Sequence, residues 1–174
     1  MSNEHELYLY EELMLLALRD EEGTILPGTM YQYGICGAII AELLLEERIK
    51  LDERGRKPKV AVQSSTRLGD DLLDECLELI SKSKRQYDLQ YWVSRFVNKL
   101  DLKHRVANKL VSRGILKADE DKILLIFTRR IYPEVDSRPE RALMDRLSKA
   151  ITTESRDVDT RTIILISIAM NTSI

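Results

Sequence analysis

The sequence predicts a mainly α-helical fold, in which about seven helices and two short β-hairpins form a single domain over residues 1–174. Three observations support this prediction. The chain has 174 residues, which is enough to bury most of its apolar surface in one core. Its apolar content of 44% and charged content of 32% are typical of a soluble globular protein. Apolar residues recur at helical spacing along most of the chain.

Helices are predicted wherever apolar residues recur every three or four positions. These stretches are residues 7–19, 34–47, 70–81, 91–99, 102–113, 137–151 and 159–170. The last one is apolar around most of its circumference, and such a helix needs cover on every side. This favours either an oligomer or a chain shortened at its C-terminus.

Two β-hairpins are predicted from short alternating runs on either side of turn residues. Residues 49–52 and 59–63 flank a turn that contains Gly55 and Pro58. Residues 115–117 and 123–128 flank the polar segment 118–121.

The charge distribution is strongly uneven. Residues 81–130 contain 13 Lys and Arg against 5 Asp and Glu, in a chain whose formal net charge is −2. Within this stretch five large apolar residues, 123–127, are bracketed by cations. A positively charged surface beside a short apolar segment is typical of proteins that bind an anionic surface, such as a phospholipid membrane or a nucleic-acid backbone. Two other interpretations stay open: a buried strand with charged flanks, and a hairpin through which copies of the chain associate.

Catalytic and metal-binding patterns are missing from the sequence. It contains no P-loop, no dinucleotide-type glycine loop and no Gly-x-Ser-x-Gly elbow. Its two histidines, His5 and His104, are far apart, and Cys36 and Cys76 lie in apolar patterns typical of buried free thiols. We therefore predict no enzyme activity, no cofactor and no metal.

The start lacks a signal peptide, and no apolar run approaches the roughly 20 residues that span a bilayer, so we predict a cytoplasmic protein.

Several segments together resemble the Golgi phosphoprotein 3 family in order and spacing. The most specific are Gly69-Asp-Asp-Leu-Leu-Asp-Glu75 and Leu110-Val111-x-x-Gly114-Ile115-Leu116, and Asp159-x-Arg161 completes the set. The resemblance spans residues 7–172. It implies a mainly helical, non-catalytic peripheral membrane protein that binds phosphatidylinositol 4-phosphate and acts as an adaptor for protein clients. Because the chain begins with acids and lacks a basic N-terminal arm, it is more similar to the bacterial single-domain relatives.

The resemblance also implies where lipid would be contacted. The membrane-facing hairpin corresponds to residues 115–127, with its apolar arm at Leu124, Leu125, Ile126 and Phe127. The cationic residues assigned to lipid headgroups are Lys103, Arg105, Arg129 and Arg130. The family's own headgroup pocket uses one Trp and three Arg, which align with Pro27, Cys36, Leu100 and Lys103. Only Lys103 keeps a positive charge, and lysine lacks the bidentate fork of arginine.

The predicted function is thus reversible binding to anionic phospholipid headgroups through a basic face and an apolar hairpin. One alternative is a nucleic-acid binder resembling a winged helix, with residues 102–113 as recognition helix and the hairpin ending at Arg129 and Arg130 as wing. The sequence pI of about 5.8 and the apolar hairpin tip argue against it. A second alternative is a homo-oligomeric scaffold that uses the hairpin as its interface.

Overall fold

Two helices at the centre of the fold carry much of the hydrophobic core. The computed structural model describes residues 7–19, 21–123, 127–152 and 158–174, with the backbone alone at 122, 123 and 127. Helices α1 (Leu9–Ala17) and α2 (Tyr31–Leu45) each contain eight buried residues. Gly34 lets the two backbones approach closely, because a Cβ at this position would lie 2.7 Å from Leu13 Cδ2.

Five further helices in the described ranges surround this pair. They are α3 (Asp71–Ser81), α4 (Leu89–Lys99), α5 (Leu102–Ser112), α6 (Arg138–Thr152) and α7 (Thr160–Thr172). Helix α1 also packs against α5, α6 and α7, and α2 against α3, α4, α5 and α7. Three of the surrounding helices begin after an aspartate whose carboxylate accepts backbone N–H bonds of the first turn: Asp70, Asp88 and Asp159. This arrangement confirms the predicted mainly α-helical fold.

Two separate hairpins complete the described structure. Strand β1 (Ile49–Asp52) pairs antiparallel with β2 (Lys59–Val62), close to the predicted bounds. Strand β3 (Asp119–Ile123) pairs antiparallel with β4 (Phe127–Ile131). The two predicted hairpins are therefore confirmed as elements, although the second one is placed differently.

The predicted register of the second hairpin is wrong. Residues 119–121, predicted as turn residues, belong to β3, and the predicted strand 115–117 contributes only an isolated bridge between Leu116 and Glu134. The observed register sets Asp121 opposite Arg129 and Glu120 opposite Arg130. Opposite charges that face each other across an antiparallel pair stabilise it. The acids therefore extend a strand where their local pattern indicates a turn.

Four buried carboxylates are paired with cations from other helices. Glu11, Glu12, Glu42 and Asp70 are all at most 5% exposed. Their partners are, in the same order, Arg113, Arg146, Arg161 and Lys109. A buried charge is tolerated only when it is paired, so these contacts fix α5, α6 and α7 to the centre of the fold.

Candidate functional site

Lys103, in the first turn of α5, lies near Arg129 of β4. Partial burial lowers the pKa of the Lys103 ammonium, and the positive charge of Arg129 lowers it further, while Asp101 has the opposite effect. Within the described part of the chain, no side chain forms an ion pair or hydrogen bond with Lys103. Two cations held near each other repel, and an anion that contacts both removes this repulsion.

Arg129 is only weakly neutralised. Its Nη2 lies 2.7 Å from Asp121 Oδ2, in an ion pair whose two side chains are each 44% exposed. Arg129 also contributes to the lowered pKa of Glu22, although Arg19 has the larger effect there. An exposed pair of this kind contributes at most about 1 kcal/mol, so Arg129 can exchange Asp121 for an external anion. Lys103 and Arg129 together form the candidate anion site.

Tyr132 holds β4 in place beside α5. Its hydroxyl and His104 Nδ1 form a hydrogen bond of 2.7 Å, and its backbone N–H donates to Gly23 O over 2.8 Å. Arg130 lies near the same hydroxyl and lowers its pKa, against the larger opposing effect of burial. Neither Tyr132 nor His104 stands out in the sequence, because 28 positions separate them and no local pattern links them.

Arg105 does not join the candidate anion site. Its Nη1 donates a hydrogen bond of 2.6 Å to Glu75 Oε2 of α3. Two residues along a helix lie on nearly opposite sides, so Arg105 is turned away from Lys103. The structure thus places Lys103 near Arg129, whereas Arg130 lies near the Tyr132 hydroxyl and Arg105 forms a separate ion pair.

Two further cations at α5 are also used inside the protein. Lys109 forms an ion pair with the buried Asp70, and Arg113 Nε lies 2.9 Å from Glu11 Oε1. Helix α5 therefore does not present a row of unpaired cations. This argues against the nucleic-acid alternative, in which residues 102–113 act as the recognition helix.

The four residues predicted as the apolar arm of the second hairpin lie wholly or partly outside the described residues. Leu124, Leu125 and Ile126 lie outside the described residues. Phe127 begins β4, where its backbone is opposite Ile123, but its side chain is also outside the description. Their role as a membrane-inserting or oligomerising segment stays a prediction.

Two of the four positions that align with the family's headgroup pocket belong to the core. Cys36 is fully buried and Leu100 is 8% exposed, and both belong to the main hydrophobic cluster. Pro27 lies on the surface in the loop before α2. Of the four, Lys103 alone offers a charge to an anion, and the second cation comes from Arg129 on the hairpin.

Cys36 and Cys76 are buried free thiols, as predicted. Burial raises the pKa of Cys36 to about 12, so its thiol stays protonated and unreactive. Across residues 7–19, 21–123, 127–152 and 158–174, no cluster of His, Cys, Asp and Glu is suited to a metal ion. In the same ranges, every helix is too short or too polar to cross a bilayer.

The fold and the site define a mainly helical protein that presents cations where a helix meets a β-hairpin. The chain belongs to the Golgi phosphoprotein 3 (GPP34) family, whose model matches residues 9–174. Vacuolar protein sorting-associated protein 74 of Eremothecium gossypii is similar, with 24% identity over 165 residues. That match covers 84% of this chain and 49% of the relative, so the chain spans about half the relative's length. The family resemblance deduced from the sequence is confirmed.

Proposed function

We propose that this protein associates reversibly and peripherally with membranes that contain anionic phospholipids, and acts there as a non-catalytic adaptor. The observation that carries the proposal is the hydrogen bond between His104 and Tyr132, which holds the end of β4 beside α5 and so brings Arg129 near Lys103. Lys103 has no ion-pair partner among the described residues. A phosphorylated headgroup supplies the negative charge that Lys103 lacks, and it competes with Asp121 for Arg129. Arg130, on the same strand as Arg129 and near Tyr132, adds to the positive field.

Cations alone would hold the protein only weakly. Each one near an acidic membrane contributes roughly 1 kcal/mol, so Lys103, Arg129 and Arg130 together give a short-lived attachment. Residues 124–127, on the same hairpin as Arg129, supply the second part of our proposal: their apolar side chains enter the lipid layer. Each buried CH₂ group contributes about 0.8 kcal/mol, so a few inserted side chains would exceed the cationic contribution. Because Arg129 and residues 124–127 belong to one hairpin, contact with the headgroup would bring the apolar side chains to the lipid layer.

The adaptor role is supported by family membership and by the similar protein, whose name assigns it to vacuolar protein sorting. An adaptor needs a membrane contact and a protein contact but no reactive centre. In this proposal Lys103 and Arg129 make the membrane contact. Arg105 then serves only the general positive field, because its position two residues along α5 turns it away from Lys103 and towards Glu75.

Co-sedimentation with vesicles tests the headgroup contact. The protein is mixed with phosphatidylcholine vesicles, with or without phosphatidylserine or phosphatidylinositol 4-phosphate. We expect recovery only with the anionic vesicles, and less of it as salt is raised. Lys103→Gln should reduce recovery, whereas Lys149→Gln, at an exposed position of α6, should not. Equal recovery with neutral vesicles, or equal effects of the two variants, would contradict the proposal.

The insertion step needs its own variant. Leu125→Glu places a charge in the apolar segment and should abolish recovery while the melting temperature stays unchanged. Retained recovery would remove residues 124–127 from the proposal. If the wild-type chain fails to bind vesicles and instead forms an oligomer that Leu125→Glu dissociates, the hairpin is an interface between copies.

A further inference from the structure

A second group of exposed cations lies on the first hairpin and on the segment that connects α3 to α4. We call it the second basic surface. Its members are Lys50, Arg54, Arg56, Lys57, Lys59, Lys84 and Arg85. The acids on the same two segments are Asp52, Glu53 and Asp88. The surface is therefore rich in positive charge although the whole chain carries −2.

Backbone contacts join the two segments. Val60 N–H donates to Tyr87 O over 2.8 Å, and Lys59 and Asp88 form an antiparallel bridge. The connecting segment therefore runs antiparallel to β2 along one side of it, and β1 occupies the other side. This brings Lys84 and Arg85 alongside the hairpin that carries the other five cations.

Few of the cations on the second basic surface form ion pairs with acidic residues of the protein. Asp52 is occupied by Arg54, whose Nε and Nη2 donate to it over 2.8 and 2.6 Å, and Asp88 Oδ2 lies 4.0 Å from Lys57 Nζ. The other five have no ion-pair partner among the described residues: Lys50, Arg56, Lys59, Lys84 and Arg85. Glu53 is the one remaining acid on these segments to offset them.

The second basic surface is separate from the candidate anion site. Asp88 stands just before the first residue of α4, whereas Lys103 follows closely after its end. The helix has 11 residues, so the two regions are about 16 Å apart along its axis. A ligand on one surface therefore leaves the other accessible.

We propose that the second basic surface binds an acidic, extended segment of a partner protein. Charge complementarity favours such a segment, and β1 offers it an open edge, since among the described residues β1 pairs only with β2. Tyr87 and Tyr91, stacked with ring centres 3.8 Å apart, lie half-buried where the connecting segment meets α4. A membrane is the less suitable occupant, because residues 53–58 contain no large apolar side chain to insert. The inference goes beyond the proposed lipid contact and does not depend on it.

Fluorescence anisotropy with the full chain tests this inference. The probe is a labelled peptide of alternating Glu and Ser, and a Lys/Ser peptide of equal length is the negative control. We expect saturable binding of the acidic peptide alone. The double variant Lys84→Gln/Arg85→Gln should weaken it about fivefold, as expected for the loss of two exposed ionic contacts. The matched double variant Arg141→Gln/Lys149→Gln, on the exposed face of α6, should leave it unchanged.

Several outcomes would overturn the inference. Absence of saturable peptide binding, or equal weakening by the two double variants, excludes a specific surface. Tighter binding of duplex DNA than of the acidic peptide assigns the surface to nucleic acid. Loss of vesicle binding in Lys84→Gln/Arg85→Gln assigns it to the membrane. Lys103→Gln should leave peptide binding intact, so the lipid and peptide proposals fail independently.

Discussion

The guanidinium of Arg113 donates a hydrogen bond of 2.9 Å to Glu11 and thereby ties the end of α5 to the first turn of α1. The Glu11 carboxylate is fully buried, while the Arg113 side chain is 24% exposed. We predict that Arg113→Ala lowers the free energy of unfolding by about 3 kcal/mol, because it leaves a buried charge without its partner. Urea denaturation measures the change.

Arg105→Ala is the matched control on the same helix. The Arg105–Glu75 pair is partly exposed on both sides, so its loss should cost less than about 1 kcal/mol. Similar costs for the two substitutions would show that burial of Glu11 does not determine the strength of its ion pair.

The buried Glu11 carboxylate should also make the stability of the protein depend on pH in an unusual way. Burial raises the pKa of Glu11 above its ordinary value of 4.5, against the opposing effects of Tyr8 N–H and Arg113. The folded state therefore binds this proton more tightly than the unfolded state. Its contribution to stability is present below pH 4.5 and is lost as the pH rises through the folded-state pKa. The free energy of unfolding of the wild type should therefore fall between about pH 5 and about pH 7.5. We predict that this fall is smaller in Glu11→Gln, which cannot lose the proton.

Asp136→Asn provides the control for this pH experiment. Hydrogen bonds from Arg138 lower the pKa of Asp136 to about 2, so this acid stays ionised throughout the interval. Its replacement should leave the pH difference unchanged. A difference that Glu11→Gln leaves as large as in the wild type would assign the dependence to other groups.

Local signals explain why much of the fold could be predicted. The helix predicted at residues 70–81 is observed at Asp71–Ser81, because its apolar stripe and the capping Asp70 both lie within the segment. The first hairpin likewise carries its own turn residues. The second hairpin was misplaced because its register depends on pairs such as Asp121 with Arg129, which no local pattern reveals.

The candidate site depended even more on distant contacts. The sequence predicts Lys103, Arg105 and Arg129 alike as site residues, and Arg113 looks equally available. Their acidic partners, Glu75 and Glu11, are 30 and 102 positions away. Only the folded chain shows which cations are held by acids that are distant in the sequence.

Gly23 is predicted to control how closely the end of the second hairpin packs against the rest of the protein. Its φ is +59°, and a Cβ there would lie 2.2 Å from Pro133 N, next to Tyr132. Gly23→Ala should therefore lower the melting temperature strongly and also weaken vesicle binding, because β4 carries Arg129. Gly28→Ala separates the two causes: Gly28 has φ +82° but no neighbour within 4 Å of a Cβ. This control should cost only the roughly 1–2 kcal/mol of a left-handed conformation and leave vesicle binding intact.

The ion pair between Asp121 and Arg129 predicts a variant that binds membranes more tightly. Asp121 competes with external anions for the Arg129 guanidinium, and their 2.7 Å contact is exposed enough to be broken at little cost. Asp121→Asn keeps the size of the side chain and removes its charge, so Arg129 becomes fully available beside Lys103. One additional effective cation corresponds to roughly 1 kcal/mol, or about a fivefold gain in affinity for anionic vesicles at moderate salt.

Asp145→Asn, at an exposed position of α6, changes the net charge equally and should have no such effect. If both variants bind equally well, the gain reflects net charge alone; if Asp121→Asn binds more weakly than the wild type, Arg129 does not contact the headgroup.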